Sequence, residues 1–286
     1  MLGAPAATLT IVTAVIASIG GVSQAQAQDA SPWQKEAHAA TRLLAGMAHK
    51  TAATTVLRAG IEIRLESGWR TYWRYPGDSG APPSFDFAGS QNVQSAQVEF
   101  PAPERFADGA GGYSIGYADD VILPVRVIPA DATRPVSLHV KVDYEACGTL
   151  CVPHKAAFDM TLTGQGTDEA TLEKVEQRVP KRTAPGARAD NALAILSVHR
   201  EPGGAHERVA VEVAAPPGAP VELFAEGPTP EWALPLPEPA GPAQGPTRRF
   251  TFDLDGLPPG AEARGATLTL TAVSGDDAIE VPDHLD

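Results

Sequence analysis

Apart from Cys147 and Cys151 the 286 residues contain no cysteine, which excludes a second redox motif of the C-x-x-C kind. Basic residues are also in short supply, with 22 Lys and Arg against 35 Asp and Glu and a net charge of −13. Nucleic-acid binding rests on neutralising phosphates, so this balance argues against it; the plain reading is that acidity keeps the chain soluble. The deficit is uneven: residues 1–189 hold 17 basic and 19 acidic side chains, and residues 190–286 hold 5 and 16. No long apolar run follows residue 27, so a multi-spanning membrane domain, at about 20 apolar residues per span, is missing. The seven histidines are scattered, and none shows an H-x3-H zinc spacing. The βαβ pattern that a thioredoxin fold requires is absent as well.

What the N-terminus does contain is a charge-free apolar stretch from Ala6 to Val22, followed by Ala25-Gln26-Ala27. This small-x-small pattern is that of a secretory signal cleaved after Ala27. No Lys or Arg precedes the apolar run, so the usual positive leader segment is missing and the true start is open to lying upstream. A retained anchor is the alternative, but the apolar part is shorter than the ~20 residues needed to span. Export to an oxidising compartment makes a Cys147–Cys151 bond possible.

Glycine and proline number 27 each, and apolar residues alternate in short runs between turn signals, as in an all-β chain of two sandwiches. Ile61, Ile63 and Leu65 alternate with Glu62, Arg64 and Glu66 in a half-buried strand. Val121–Val127 is a second, in which Pro124 predicts an edge position or a bulge. Helical spacing occurs once, from Thr167 to Arg182, with Leu172, Val175 and Val179 on one face. A polar Pro/Gly segment, Lys181–Gly186, follows as a linker. Beyond it strands are expected at Ala194–Val198, Arg208–Val213, Val221–Ala225, Arg249–Leu254 and Thr267–Val273, making a second sandwich with no catalytic constellation and the character of a scaffold or docking module.

The decisive strand holds Val136, Leu138, Val140, Val142 and Tyr144 on one face. Its partner holds Phe158, Met160 and Leu162, so the two predict a β-hairpin whose tip carries Cys147 and Cys151, with Gly148 and Pro153 as turn punctuation. Chemistry at the tip of a rigid hairpin is accessible to a partner. A bond closing five residues stabilises by only about 2 kcal/mol in the chain-entropy model. Redox activity is therefore the leading reading, with a structural staple and a metal site as alternatives.

Three segments carry a resemblance to a known family. Glu145–Pro153, with its paired cysteines and Val-Pro, is similar to the active-site hairpin of the periplasmic N-terminal domain of the DsbD/ScsB thiol:disulfide interchange proteins. Gly68–Phe85 resembles the stretch GW-x-TYW-x-x-PGD-x-G-x-PP-x-F of the ScsB-like branch. Phe100–Phe106, Gly116-Tyr117 and Leu123-Pro124-Val125 follow the branch's order PAP-x-RF, GY, LPV. The resemblance covers residues 31–165 and implies an immunoglobulin-like fold. The expected organisation is a signal peptide over 1–27, an Ig-like redox domain over 28–166, a helix and linker over 167–189, and a second Ig-like β-sandwich over 190–286.

The resemblance further implies a periplasmic thiol:disulfide oxidoreductase of the protein-disulfide reductase type. It needs no cofactor beyond the redox pair. A separate membrane-embedded thiol reductant would supply electrons, and thioredoxin-like or disulfide-bearing proteins would receive them. Cys151 would attack first and Cys147 resolve. From the residues themselves, a charged His154 would favour a Cys151 thiolate, although a lone histidine near a turn is more often just solvated, and Asp143 and Glu145 would disfavour a thiolate on Cys147. An aromatic cap shields the family's disulfide; here it maps to the glycine-rich stretch Phe106 to Tyr117, with Tyr113 the best cap and Phe106 and Tyr117 either caps or core anchors. Trp69, Tyr72 and Trp73 are read as packing within the sandwich, or else as a recognition surface. Cytochrome c maturation, copper tolerance and repair of misoxidised proteins are all open as downstream roles. Two competing functions remain: a Cu(I) site of Cys147, Cys151 and His154, and an Ig-like adaptor with an inert disulfide.

Overall fold

The computed structural model describes residues 29–109, 111–187, 192–242 and 245–286. The expected signal segment, residues 1–27, lies outside them. The first half runs β1 (Gln34–Glu36), β2 (Ala39–Ala45), β3 (His49–Lys50), β4 (Thr55–Leu65), β5 (Arg70–Gly77), β6 (Ser84–Asp86) and β7 (Val93–Val98). It continues with β8 (Glu104–Ala107), β9 (Tyr113–Ala118), β10 (Asp120–Pro129), β11 (Val136–Cys147) and β12 (Cys151–Leu162), then α1 (Glu169–Glu176). The second half holds β13 (Lys181–Arg182), β14 (Ala194–Glu201), β15 (Arg208–Ala214), β16 (Glu222–Glu226), β17 (Glu238–Pro239), β18 (Thr247–Asp253), β19 (Thr267–Ser274) and β20 (Asp277–His284).

These strands form four sheets, two per half, so the protein is the nearly all-β pair of sandwich-like domains that the sequence predicts. In the first, β1-β2-β4-β10-β7 faces β12-β11-β5-β9-β8. Ile61, Ile63, Leu123 and Val125 of one sheet share a single buried cluster with Leu138, Val140, Val142 and Phe158 of the other. The second stacks β13-β20-β19-β16 on β14-β15-β18-β17 around Val211, Leu223, Leu270 and Val281.

Four expectations change. β4 is eleven residues long and buried on both faces, because α1 covers its outer side. There the Arg58 guanidinium pairs with Glu169 and with Glu176, the latter at 2.7 Å, and Leu172 is fully buried. Pro124 sits in the central strand β10; its carbonyl accepts from Glu99 N–H at 2.8 Å, so its missing N–H falls on the side where the β7 ladder ends. Pro153 is paired with Glu145 inside β12 rather than in the turn, which is tolerated because β12 is an edge strand. The start of the expected linker, Lys181-Arg182, pairs in parallel with Ile279 and Glu280 of β20.

The two sandwiches share an apolar and charged contact. Phe224 and Leu236 enter the first core, Phe224 lying 5.8 Å from Trp73. The Tyr75 hydroxyl donates to the Leu234 carbonyl at 2.6 Å, and Arg74 bridges Glu226 and Glu280 at 2.7 and 2.6 Å. Burial opposes the charge on Arg74, but the two carboxylates outweigh it and raise its pKa above the ordinary guanidinium value.

Candidate functional site: a disulfide at the mouth of a cleft

The β11–β12 ladder runs without a break from Val136↔Leu162 to Cys147↔Cys151. Strict alternation sends Val136 through Ala146 inward at every second position, so Cys147 and Cys151 emerge on the outer face, and only Gly148, Thr149 and Leu150 hang beyond them. The two sulfurs are bonded at 2.06 Å. Cys151 is exposed and Cys147 half-buried. Leu150, between them, is 75% exposed. Gly148 lies against the Trp69 indole, where an added Cβ would come within 3.1 Å of the ring. Trp69 in turn stacks on His38 with 3.9 Å between ring centroids.

β5 supplies the neighbouring wall. Arg70 stands directly across from Cys147, and two residues on, by the same alternation, Tyr72 shares the outer face. Its hydroxyl lies 3.5 Å from Cys151 Sγ. Gly80, at φ +100°, lies over the Tyr72 ring so closely that any Cβ would fall inside van der Waals contact, which holds the phenol in place. Burial pushes the Tyr72 pKa up, Glu145 adds to the rise and the Ser114 hydroxyl opposes it. The phenol therefore keeps its proton and is a donor toward negative charge on sulfur.

The third wall is the hairpin β8–β9. Phe106 faces a cleft of about 420 Å³ that also receives Arg70, Tyr72, Ser114, Cys147 and Cys151. The Arg70 guanidinium caps the Phe106 ring at 4.4 Å from its centroid. Thus Arg70 and Phe106 bring one cation and one aromatic to the side of the disulfide.

The expected site residues divide. Cys147, Cys151 and Phe106 meet at the cleft, and a Glu145 carboxylate oxygen lies within 4.8 Å of both sulfurs. Asp143 is two residues farther along the same face, with Lys155 Nζ at 3.6 Å. Tyr113 points away from the cleft, 40% exposed, under the Arg105 guanidinium. Tyr117 is buried, donating to the Pro101 carbonyl at 2.8 Å. His154 corrects the sequence reading most. Three residues from Cys151, it falls on the inner face, 3% exposed, stacked on Tyr144 and with Nδ1 3.0 Å from Glu36. Neither the thiolate-favouring role nor a Cys147, Cys151, His154 copper set fits that placement. Tyr72 and Arg70 are what local sequence reading missed: alternation puts them on one face, but only the pairing of β5 with the hairpin tip brings that face to sulfur.

Residues 41–163 match the model of a family described as thiol:disulfide interchange protein DsbD, N-terminal. The match spans the first sandwich, from β2 to the end of β12. The crystal structure of the N-terminal periplasmic domain of ScsB from Proteus mirabilis aligns with a TM-score of 0.69 at 19% identity, covering 90% of this chain and 98% of that one. That likeness is one of fold, and it extends over both sandwiches. A search of curated proteins returned no match. Among the described residues no helix is long and apolar enough to cross a membrane.

Proposed function

We propose that this chain is a periplasmic thiol:disulfide interchange protein, exported with residues 1–27 removed, whose Cys147–Cys151 pair relays electrons from a membrane-embedded thiol reductant to thioredoxin-like or disulfide-bearing proteins. The observation that carries the reading is the position of the chain's two cysteines. They are bonded across the open tip of a rigid hairpin, at a cleft, within a segment that matches an interchange family.

In the reductive half, a donor thiolate attacks Cys151 Sγ, the Cys147–Cys151 bond breaks, and Cys147 leaves with the electron pair and takes up a proton. A second donor thiol then releases Cys151 and departs as the oxidised donor. In the forward half the Cys151 thiolate attacks a partner disulfide, and Cys147 resolves the mixed disulfide, returning the intramolecular bond and a reduced partner. Tyr72 donates to the Cys151 thiolate, and Arg70 adds positive charge beside Cys147. Glu145 works against both and keeps the thiolate from being over-stabilised.

Titration of the mature protein against glutathione buffers, with free thiols trapped, tests the reading. A reduction potential well above roughly −300 mV, in the range of exchange catalysts, is expected. A potential below it makes the bond a structural staple and ends the interchange proposal.

A further inference from the structure

The hairpin β8–β9 has two faces with different owners. Phe106 and Ser114, on the outer face, line the disulfide cleft. Arg105, the residue before Phe106, is on the other face and reaches into the second sandwich. Its Nη1 donates to Glu238 Oε1 at 2.9 Å and its Nη2 to the Pro237 carbonyl at 2.9 Å, with the Leu223 carbonyl at 3.5 Å. Only 14% of the Arg105 side chain is exposed, and its guanidinium covers the Tyr113 ring from the same hairpin. The β5 wall is held in the same way, Arg74 by Glu226 and Glu280 and Tyr75 by Leu234. Both walls that flank the sulfurs are thus fastened to a domain that carries no cysteine.

We propose that the second sandwich is a clamp on the cap hairpin, with Arg105 as the positioning residue, so that access of thiols to the Cys147–Cys151 bond is set by the Arg105 contacts to Glu238, Pro237 and Leu223. Swinging Phe106 away from the cleft requires the backbone of β8 to move, and that movement pulls Arg105 out of its fork of acceptors. A planar guanidinium suits this role because it satisfies a carboxylate and two carbonyls at once. The inference rests on the interchange reading for its biological purpose, whereas the clamp itself is a property of the fold.

The test uses the full chain and reduced glutathione as probe. A glutathione thiolate attacks Cys151 Sγ and expels Cys147, and a second glutathione frees Cys151 and leaves as glutathione disulfide. Arg105→Ala is expected to raise the second-order rate of this reduction by about fivefold, as loss of a few net hydrogen bonds would allow. The equilibrium reduction potential should stay unchanged, and Arg105→Lys should restore part of the slow rate. A folded Arg105→Ala protein reacting at the wild-type rate overturns the clamp. If that variant does not fold, Glu238→Gln substitutes, since it alters one exposed acceptor in the second domain: faster amide exchange across residues 104–117 with a raised reduction rate supports the proposal, and no change in either overturns it. A wild-type protein that fails to exchange with protein disulfides would end the relay reading while leaving the rate comparison between variants intact.

Discussion

Tyr72 sets a hydroxyl against the disulfide. A buried phenol with a raised pKa, 3.5 Å from Cys151 Sγ, is a neutral donor throughout the pH range in which thiols ionise. Tyr72→Phe should therefore raise the pKa of the reduced Cys151 by roughly one unit. The pH profile of its alkylation by iodoacetamide measures this, and an unmoved profile would mean that the hydroxyl has no hold on the thiolate. The two cysteines were legible from scarcity and spacing alone. Tyr72 was visible only as one of three neighbouring aromatics, because its place beside sulfur depends on the pairing of β5 with β11. His154 was misread for the opposite reason: three residues from Cys151 in sequence, it is on the other face, since strand alternation reverses every odd step.

At the scale of elements, the existence of the β11–β12 hairpin was readable, because period-two alternation assigns each apolar set to one face and a one-residue slip would expose it; its reach to the cysteines was not, since Pro153 reads as a turn residue and is paired within β12. The depth of β4 was not readable. Its outer face carries Arg58 and Glu62, which look solvent-bound until α1 covers the first and Arg42 pairs the second at 2.6 Å. β20 was overlooked, its short alternation of Ala278, Ile279 and Val281 being interrupted by charges and Pro282. The helix makes its own prediction: Leu172, at 0% exposure, is its one fully buried side chain and contacts the β4 face. Leu172→Ala should cost about 2 to 5 kcal/mol in urea unfolding at 25 °C. A loss well under 1 kcal/mol would mean that α1 is dispensable to the first sandwich.

Over the whole molecule, the contact between sandwiches should respond to alkaline pH. Burial, with Asp78 and Glu226 nearby, pushes the Tyr75 phenol up to about 12 while its hydroxyl donates to Leu234 in the other domain. Below pH 10 the phenol is protonated in both folded and unfolded chains and has no pH effect. From about pH 10 to 12 only the unfolded chain loses the proton, so stability falls by up to about 2 to 3 kcal/mol from this group. Tyr117, buried and raised in the same direction, adds to the slope. Tyr75→Phe should flatten part of that decline in denaturant titrations run at pH 9 and pH 11. An unaltered slope would assign the alkaline loss to other groups.

The unbroken ladder from Val136↔Leu162 to Cys147↔Cys151 leaves only three residues to respond when the sulfurs separate. In the relay proposed above, loading and unloading two electrons would therefore change the outline of the protein very little. A donor and an acceptor that dock on the same tip would meet nearly the same surface, and the direction of flow would be decided by the relative potentials of the sulfurs in contact rather than by a change of shape announcing whether the carrier is full or empty.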